Sequence, residues 1–598
     1  MNTFPGCLPA LCRLLSIACW LLMLTTDSRA QVLSIRVTSA AGTVTQGSFL
    51  AVVRSNNVAT LSGTNTWPAS TRVLVNGVDS IFNAGSGLWT NTISLAPGLN
   101  RPLIQAVNAA GLPLFTTNFI VVCDVGSTTV GGSITGNVTW SPALGVIRMT
   151  SDVTIASNAV LNLAPGTVVL VNGVFTLSAG PHATLNVNGT EAEPVGLFPA
   201  NGTANWAEIN ADGTNSFLNL RHAEVIACAI QSRTGATTVL EDSFIHDYKS
   251  SSVPICGCTS AKSVHVRRCH FRVYHETLRR NTPIFIEDSI FELANNASSD
   301  ALDFDGAPPG SYIRRCTFRH GPQSNTDAID IGPYNNGAVF NGSSNTLICD
   351  NLMYDFPNDK GVSIGEGSYG IVVSNCLMYG NDSGVAVKDS PGSGNFPRTA
   401  PCTANIINCT IADCDYGFRC YNKSQPASAT DGGQITNSYN NIIWGSRFGV
   451  FEILNAGVVV ADHSDFVITN WPGTGNFTND PIFLNPAQRD YRLAATSPAL
   501  AAGRAGAMLG VTFPVGSTMA PSHPHLSSIE HSGDNALVKF WVDSERTYSL
   551  LCRTNVNGGP WVKVTDAFPH PRPYLLTVTN STGGDTNRFY RLVSPRVP

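Results

Sequence analysis

The residues best suited to chemistry lie in five short segments that repeat one pattern. They are Asp300-Ala301-Leu302-Asp303-Phe304-Asp305, Asp327-Ala328-Ile329-Asp330-Ile331-Gly332, Lys360-Gly361-Val362-Ser363-Ile364-Gly365, Ser383-Gly384-Val385-Ala386-Val387-Lys388 and Tyr416-Gly417-Phe418-Arg419-Cys420-Tyr421. Their alternation predicts strands whose apolar columns, Leu302/Ile329/Val362/Val385/Phe418 and Phe304/Ile331/Ile364/Val387/Cys420, point inward. The residues between those columns then face solvent. Asp303 stacks on Asp330 and Asp300 on Asp327, with Asp305 beside them and Ser363, Glu366, Lys388, Asp389 and Arg419 beyond. Asp300, Asp305, Glu366 and Asp389 are the polar groups expected to touch a substrate along this face. Like charges stacked at the strand spacing of ~4.8 Å repel, so something must offset them. Three arrangements would do so. A Ca²⁺ ion could be held by Asp303 and Asp330, a proton could be shared as in paired catalytic carboxylates, or the side chains could splay apart on a solvated acidic face.

Such a face needs a frame that stacks equivalent residues. The chain carries one. Glu241-Asp242-Ser243-Phe244-Ile245, Arg267-Arg268-Cys269-His270-Phe271, Glu287-Asp288-Ser289-Ile290-Phe291 and Arg314-Arg315-Cys316-Thr317-Phe318 align with one another. So do Cys349-Asp350-Asn351-Leu352-Met353, Ser374-Asn375-Cys376-Leu377-Met378, Ile407-Asn408-Cys409-Thr410-Ile411 and Tyr439-Asn440-Asn441-Ile442-Ile443. Successive copies are 20 to 35 residues apart, and no helical period appears. β-Branched residues, a polar bend and then a large apolar residue, repeated at irregular length, predict a parallel β-solenoid with loops of variable size. Stacking the copies forms charge ladders of alternating sign, Asp242/Arg268/Asp288/Arg315/Asp350 beside Glu241/Arg267/Glu287/Arg314, which read as register-fixing pairs. The next column, Ser243/Cys269/Ser289/Cys316/Asn351/Cys376/Cys409/Asn441, places cysteine as a small apolar side chain.

These segments resemble the I-x-N-N-x-F repeats of right-handed parallel β-helix proteins, with serine and cysteine where that family favours asparagine. The resemblance implies a right-handed parallel β-helix over residues 124–510. The run Asp480-Pro481-Ile482-Phe483-Leu484-Asn485-Pro486, with Asp490-Tyr491-Arg492-Leu493 and Ser497-Pro498-Ala499, looks like the last coil of secreted bacterial β-helices. Two enzyme groups of this fold bear on the acidic face. Asn325-Thr326-Asp327-Ala328-Ile329-Asp330 is similar to the N-T-D-G-I-D segment of polygalacturonases, which implies a catalytic role for Asp327. The chain departs from that family downstream: Asp359 is followed by Lys360 where a second Asp stands, and Ser383-Gly384 has no His. Pectate-lyase-like β-helices bind Ca²⁺ through stacked acids and use Arg or Lys as base. That likeness implies Asp303 and Asp330 as ligands and Lys388 or Arg419 as base, provided a lysine pKa is lowered there. The segment Asp359 to Ser368 with Gly384 to Asp389 also resembles β-helices in large secreted bacterial proteins.

Flanking segments complete the organisation. Residues 31–123 show alternating runs with turns at Asn76-Gly77 and Pro97-Gly98 and a tryptophan at Trp89. They are similar to bacterial immunoglobulin-like sandwich modules. Residues 521–598, with Phe540-Trp541, Tyr548-Ser549-Leu550 and Phe589-Tyr590-Arg591-Leu592, predict a small C-terminal β-domain. Residues 1–30 read as a secretory signal: Arg13, an apolar run from Leu14 to Leu24, and Ser28-Arg29-Ala30 before the cut. Of sixteen cysteines, Cys7, Cys12 and Cys19 belong to that segment. The odd remainder, set at repeat positions, argues for buried thiols over a disulfide framework. Charged residues make up 13% and the net charge is −5, which argues against nucleic acid as a partner. No later apolar run is long enough to span a membrane. The sequence therefore describes a secreted or cell-surface, monomeric, three-part all-β protein. Its β-helix face binds or processes an extracellular polysaccharide, as a lyase or hydrolase, or else serves as a spacer in a non-catalytic adhesion protein.

Overall fold

The structure, a computed structural model, describes residues 35–594 apart from internal stretches. The longest of these are 201–205, 247–255, 274–281, 294–299, 390–400, 424–431, 513–525, 568–573 and 582–586. The expected secretion signal, residues 1–30, lies outside the described residues. Two compact units form, one from segments up to residue 119 and one that includes everything from Ile120 onward. Among the described residues no helix is long and apolar enough to cross a membrane.

In the second unit, strands of successive coils pair in parallel and build three long sheets of eighteen, thirteen and seven strands. Every second residue points into the space they enclose. One inward column runs Val266, Ile286, Ile313, Ile348, Val373 and Ile406 along the thirteen-stranded sheet, all buried. Another stacks Phe271, Phe291 and Phe318 with ring centroids 5.0 and 4.9 Å apart. Each coil buries its apolar residues only against its neighbours, which is the solenoid logic expected from the repeats. The architecture is a right-handed parallel β-helix.

The bend between the thirteen- and eighteen-stranded sheets explains the repeat motif. Asp242, Arg268, Asp288, Arg315, Asp350, Asn375, Asn408 and Asn440 all take left-handed backbone angles, with φ between 50° and 57°. That region costs most side chains ~1–2 kcal/mol and is tolerated best by Asn and Asp. The two arginines in the column are held by the preceding coil: Arg268 by Asp242 at 2.5 and 2.7 Å, Arg315 by Asp288 at 2.7 and 2.9 Å. The following residue turns inward and caps a neighbouring coil. Ser289 Oγ accepts from the Cys269 N–H, Asn351 Oδ1 from that of Cys316 and Asn441 Oδ1 from that of Cys409. The described cysteines are free thiols, buried apart from half-buried Cys349.

Residues 480–499, similar to a last coil, lie with residues 500–512 outside the three long sheets. The eighteen-stranded sheet ends at Asp465–Phe466. The chain then folds back across the outer face of that sheet, where Phe483, Tyr491, Ala499, Leu509 and Val511 cover Leu352, Tyr354, Leu377, Tyr379 and Ile442. Tyr491 Oη donates to Asp413 at 2.7 Å, Arg489 pairs with Asp355 and the Val511 N–H donates to Thr410. The reason is legible in those coils. Their outward positions are Leu and Tyr, and an apolar outer face must be covered.

The first unit contains two four-stranded sheets, with Trp89 buried. A third four-stranded sheet, including Leu50–Arg54 and Ile120–Asp124, belongs to the second unit. Its Ile120 and Val122 pack on Val146, Val168, Leu170 and Phe198 of the first coils. Near the C-terminus two three-stranded antiparallel sheets form, with Phe540 and Tyr548 buried 6.4 Å apart.

Candidate functional site

The seven-stranded sheet carries the candidate residues. Its parallel strands are Asp303–Asp305, Ile329–Asn335, Lys360–Ile364, Ser383–Asp389, Tyr416–Asn422 and Gly449–Ile453. The register follows the sequence pattern. Asp303 pairs with Asp330, Asp330 with Ser363, Ser363 with Ala386, Ala386 with Arg419 and Arg419 with Glu452. Ile329, Val362, Val385 and Phe418 are fully buried in the inward column. Asp305 faces Gly332, and its Oδ1 lies 2.7 Å from where a Cβ at Gly332 would stand, so a side chain there would have to displace the carboxylate.

Four aspartates come together at the first two coils, and all but Asp330 are buried. Asp300 Oδ1 accepts the Asp327 N–H at 2.7 Å. Asp327 Oδ1 accepts the Lys360 N–H at 2.9 Å and its ammonium at 3.2 Å. Asp359, one residue before Lys360, also pairs with that ammonium and accepts the Thr326 N–H at 3.0 Å. Asp330 keeps 29% of its side chain open to solvent and faces the Lys388 ammonium at 3.7 Å. Two lysines thus supply the charge that the stacked acids require.

Electrostatics separate the acids. Burial pushes the Asp327 carboxyl up to about 8, and the charge of Asp330 adds to this while Lys360 opposes it. Asp300 is held well above the usual carboxylate range by burial and by Asp330, Asp327 and Asp303. For Asp359 burial works upward, but its hydrogen bond with Asp327 and the charge of Lys360 outweigh it and hold the carboxyl below its ordinary value. Asp327 is thus shifted upward and Asp359 downward.

Lys388 differs from what a base requires. Burial works to release its proton, but Asp330 and Asp327 outweigh it and hold the amine above the usual lysine range. A cation cannot accept a proton, so Lys388 enters as the charged partner of Asp330. Arg419 lies three coils from Asp330, bound to Asp382 at 2.8 Å and Glu452 at 2.5 Å. Its guanidinium sits 4.9 Å from the Tyr416 ring centroid and 5.7 Å from that of Tyr421. Glu366 pairs with Lys423 at 3.1 Å, and Asp389 accepts the Cys402 N–H at 3.1 Å. Glu366 and Asp389 thus lie along the face but outside the aspartate group.

The calcium expectation meets a fit test here. Among the described residues, no group of three or more His, Cys, Asp or Glu side chains is arranged to hold a metal ion. Lys388 lies 3.7 Å from Asp330, and no step below passes through a metal.

Sequence reasoning passed over Asp359, Lys360, Tyr421 and Glu452 as members of the site. Asp359-Lys360 stood in view only as a departure from a double-Asp motif. Its signal was position: it opens the strand that follows Asp330's by one coil.

No family profile matches the chain, and no curated protein matches it. Among solved structures, it is similar to a family 28 exopolygalacturonase of Yersinia enterocolitica. The identity is 10%, with 75% of this chain and 97% of that one covered and a TM-score of 0.25. It is also similar to the periplasmic alginate epimerase AlgG, with 11% identity, 54% and 77% covered and a TM-score of 0.27. The A-module of a mannuronan C-5 epimerase of Azotobacter vinelandii gives 11%, 59% and 91%, with a TM-score of 0.16. At these scores the likeness carries no argument about activity, and the β-helix stands on its own strand register.

Proposed function

We propose that this face of the β-helix binds an extended polysaccharide and acts on it by acid–base catalysis, with Asp327 as proton donor. The arrangement that carries the reading is a group of carboxyls on adjacent coils in unlike settings: Asp327 is buried beside the Lys360 ammonium at 3.2 Å and raised by burial to about 8, while Asp330 is partly open to solvent and 3.7 Å from Lys388. Environments that divide two acids in this way assign acid and base roles. A parallel sheet also offers a flat, ribbed surface along which a glycan chain can lie.

In the hydrolytic version, the Asp327 proton goes to the glycosidic oxygen as the C1–O bond breaks. Water adds to C1, and its proton goes to Asp330, the partly exposed carboxylate on the same coil. Lys360 and Lys388 hold Asp327 and Asp330 in place.

The test is turnover of a polysaccharide panel by wild type and the Asp327→Asn and Asp330→Asn variants. Removing a general acid or base is expected to lower turnover by ~10²–10⁴-fold while binding is kept. Equal turnover in all three proteins would overturn the assignment. A wild type that retains polysaccharide without cleaving it would establish the alternative, a non-catalytic surface protein.

A further inference from the structure

We infer that the glycan accepted by this face is uncharged, and that it is held on the Tyr416–Arg419–Phe448 end of the sheet by ring stacking rather than by ion pairing. The inference rests on the reading that the face binds a polysaccharide, and it narrows the substrate class. A polyuronide brings one carboxylate per sugar and needs cations to receive it. Among the described residues each cation of the face has an acidic partner. Lys360 pairs with Asp327 and Asp359, Lys388 with Asp330, Lys423 with Glu366, Arg419 with both Asp382 and Glu452, and Arg447 with Asp415. Asp303, Asp305 and Asp389 add further acids. An incoming carboxylate would meet net negative charge, which disfavours it at close range.

At its far end the face offers aromatic rings, with Arg447 lying 4.6 Å from the Phe448 ring centroid. Phe448 is 61% exposed, and its ring lies 5.8 Å from that of Tyr416. Arg419 lies against Tyr416, and its charge is spent on two carboxylates. Aromatic faces of this kind stack on the C–H face of a pyranose ring. Nearer the acids, Ser363 is fully buried in the outward column beside Asp330, and its hydroxyl has no hydrogen-bond partner. Such a group is satisfied by a neutral hydroxyl once the side chains above it part. From Asp330 to Arg419 is three strand spacings, ~15 Å, so the acid group and the aromatic end would engage different sugars of one chain.

The experiment compares the full chain on neutral polymers (dextran, xylan, galactan, mixed-linkage glucan, fully methyl-esterified homogalacturonan) with polygalacturonate and alginate. Gel retardation and release of reducing ends are followed in 50 and 500 mM salt, both about an order-of-magnitude choice to screen surface charge. Retardation by a neutral polymer that changes less than about twofold with salt is expected. Phe448→Ala is expected to weaken that retardation by roughly tenfold with an unchanged thermal melt. Retardation or cleavage confined to the uronates, and lost at high salt, would overturn the inference while leaving the polysaccharide reading intact. If no polymer of either kind is retained or cleaved, the reading itself fails and the inference with it.

Discussion

Asp327 is where residue-scale physics is sharpest. Its proton is retained by burial, and the donor form disappears as pH rises through about 8. Turnover is therefore expected to decline on the alkaline side with an apparent midpoint near that value, and Asp327→Asn should abolish the activity that carries this limb. A pH–rate profile with no alkaline limb would remove Asp327 from the role. The cysteines allow a second residue-scale prediction. Burial pushes the Cys269 thiol up to about 12, and Cys376 and Cys402 are raised well above the usual thiol range for the same reason. Since the thiolate is the reactive species, a thiol-reactive dye should leave the buried cysteines untouched in the folded protein and titrate them in guanidinium. Rapid native labelling of more than half-buried Cys349 would show that the coils open.

At the scale of the element, the solenoid divides its stability unevenly between ladders. The stacked phenylalanines are core, and Phe291→Ala is expected to cost ~3–5 kcal/mol, read as a loss in the urea midpoint. The charged ladder lies near solvent. Arg315→Ala, removing the pair with Asp288, should cost at most ~1 kcal/mol. The left-handed bend ranks substitutions differently. At Asn408, with φ 53°, a change to Val should cost ~1–2 kcal/mol while a change to Gly is tolerated. Equal effects of Val and Gly there would mean that the bend does not depend on backbone strain.

The whole molecule adds a pH dependence that belongs to no single coil. Asp465, at the end of the long sheet, is fully buried with both carboxylate oxygens lacking a hydrogen-bond partner. Burial, with the charge of Asp480, pushes it up to about 7. Its folded pKa, like that of Asp327, exceeds the unfolded value of ~3.9. The stabilisation each contributes is therefore complete below ~4 and is lost as pH rises through about 7 for Asp465 and about 8 for Asp327. Thermal melts should fall between pH 5 and 8, both about the edges of that window, and Asp465→Asn should flatten the lower part of that slope. Calcium is tested at the same scale. Titration calorimetry on the full chain is expected to show no heat that Asp303→Asn/Asp330→Asn abolishes, and such a heat would restore the calcium-dependent reading.

What could be read from residues alone was whatever one coil imposes on the next. Ile329, Val362, Val385 and Phe418 must share an inward column, because a strand alternates sides and each coil can bury its apolar face only on its neighbours. That fixed the parallel β-helix, the Asp303–Asp330 register and the column of buried cysteines. Three things waited for the tertiary structure. Residues 480–499 read as a final coil, yet together with residues up to 512 they cover the Leu and Tyr side chains of two earlier coils, a contact between segments over a hundred residues apart. Lys388 resembled a base, yet Asp330 and Asp327, on an earlier coil, keep it charged. The proton on Asp327 depends on burial together with Asp330, Lys360 and Asp359 at once. Strand alternation is a local rule that a sequence displays, whereas a charge state sums the field of groups brought together only when the coils stack.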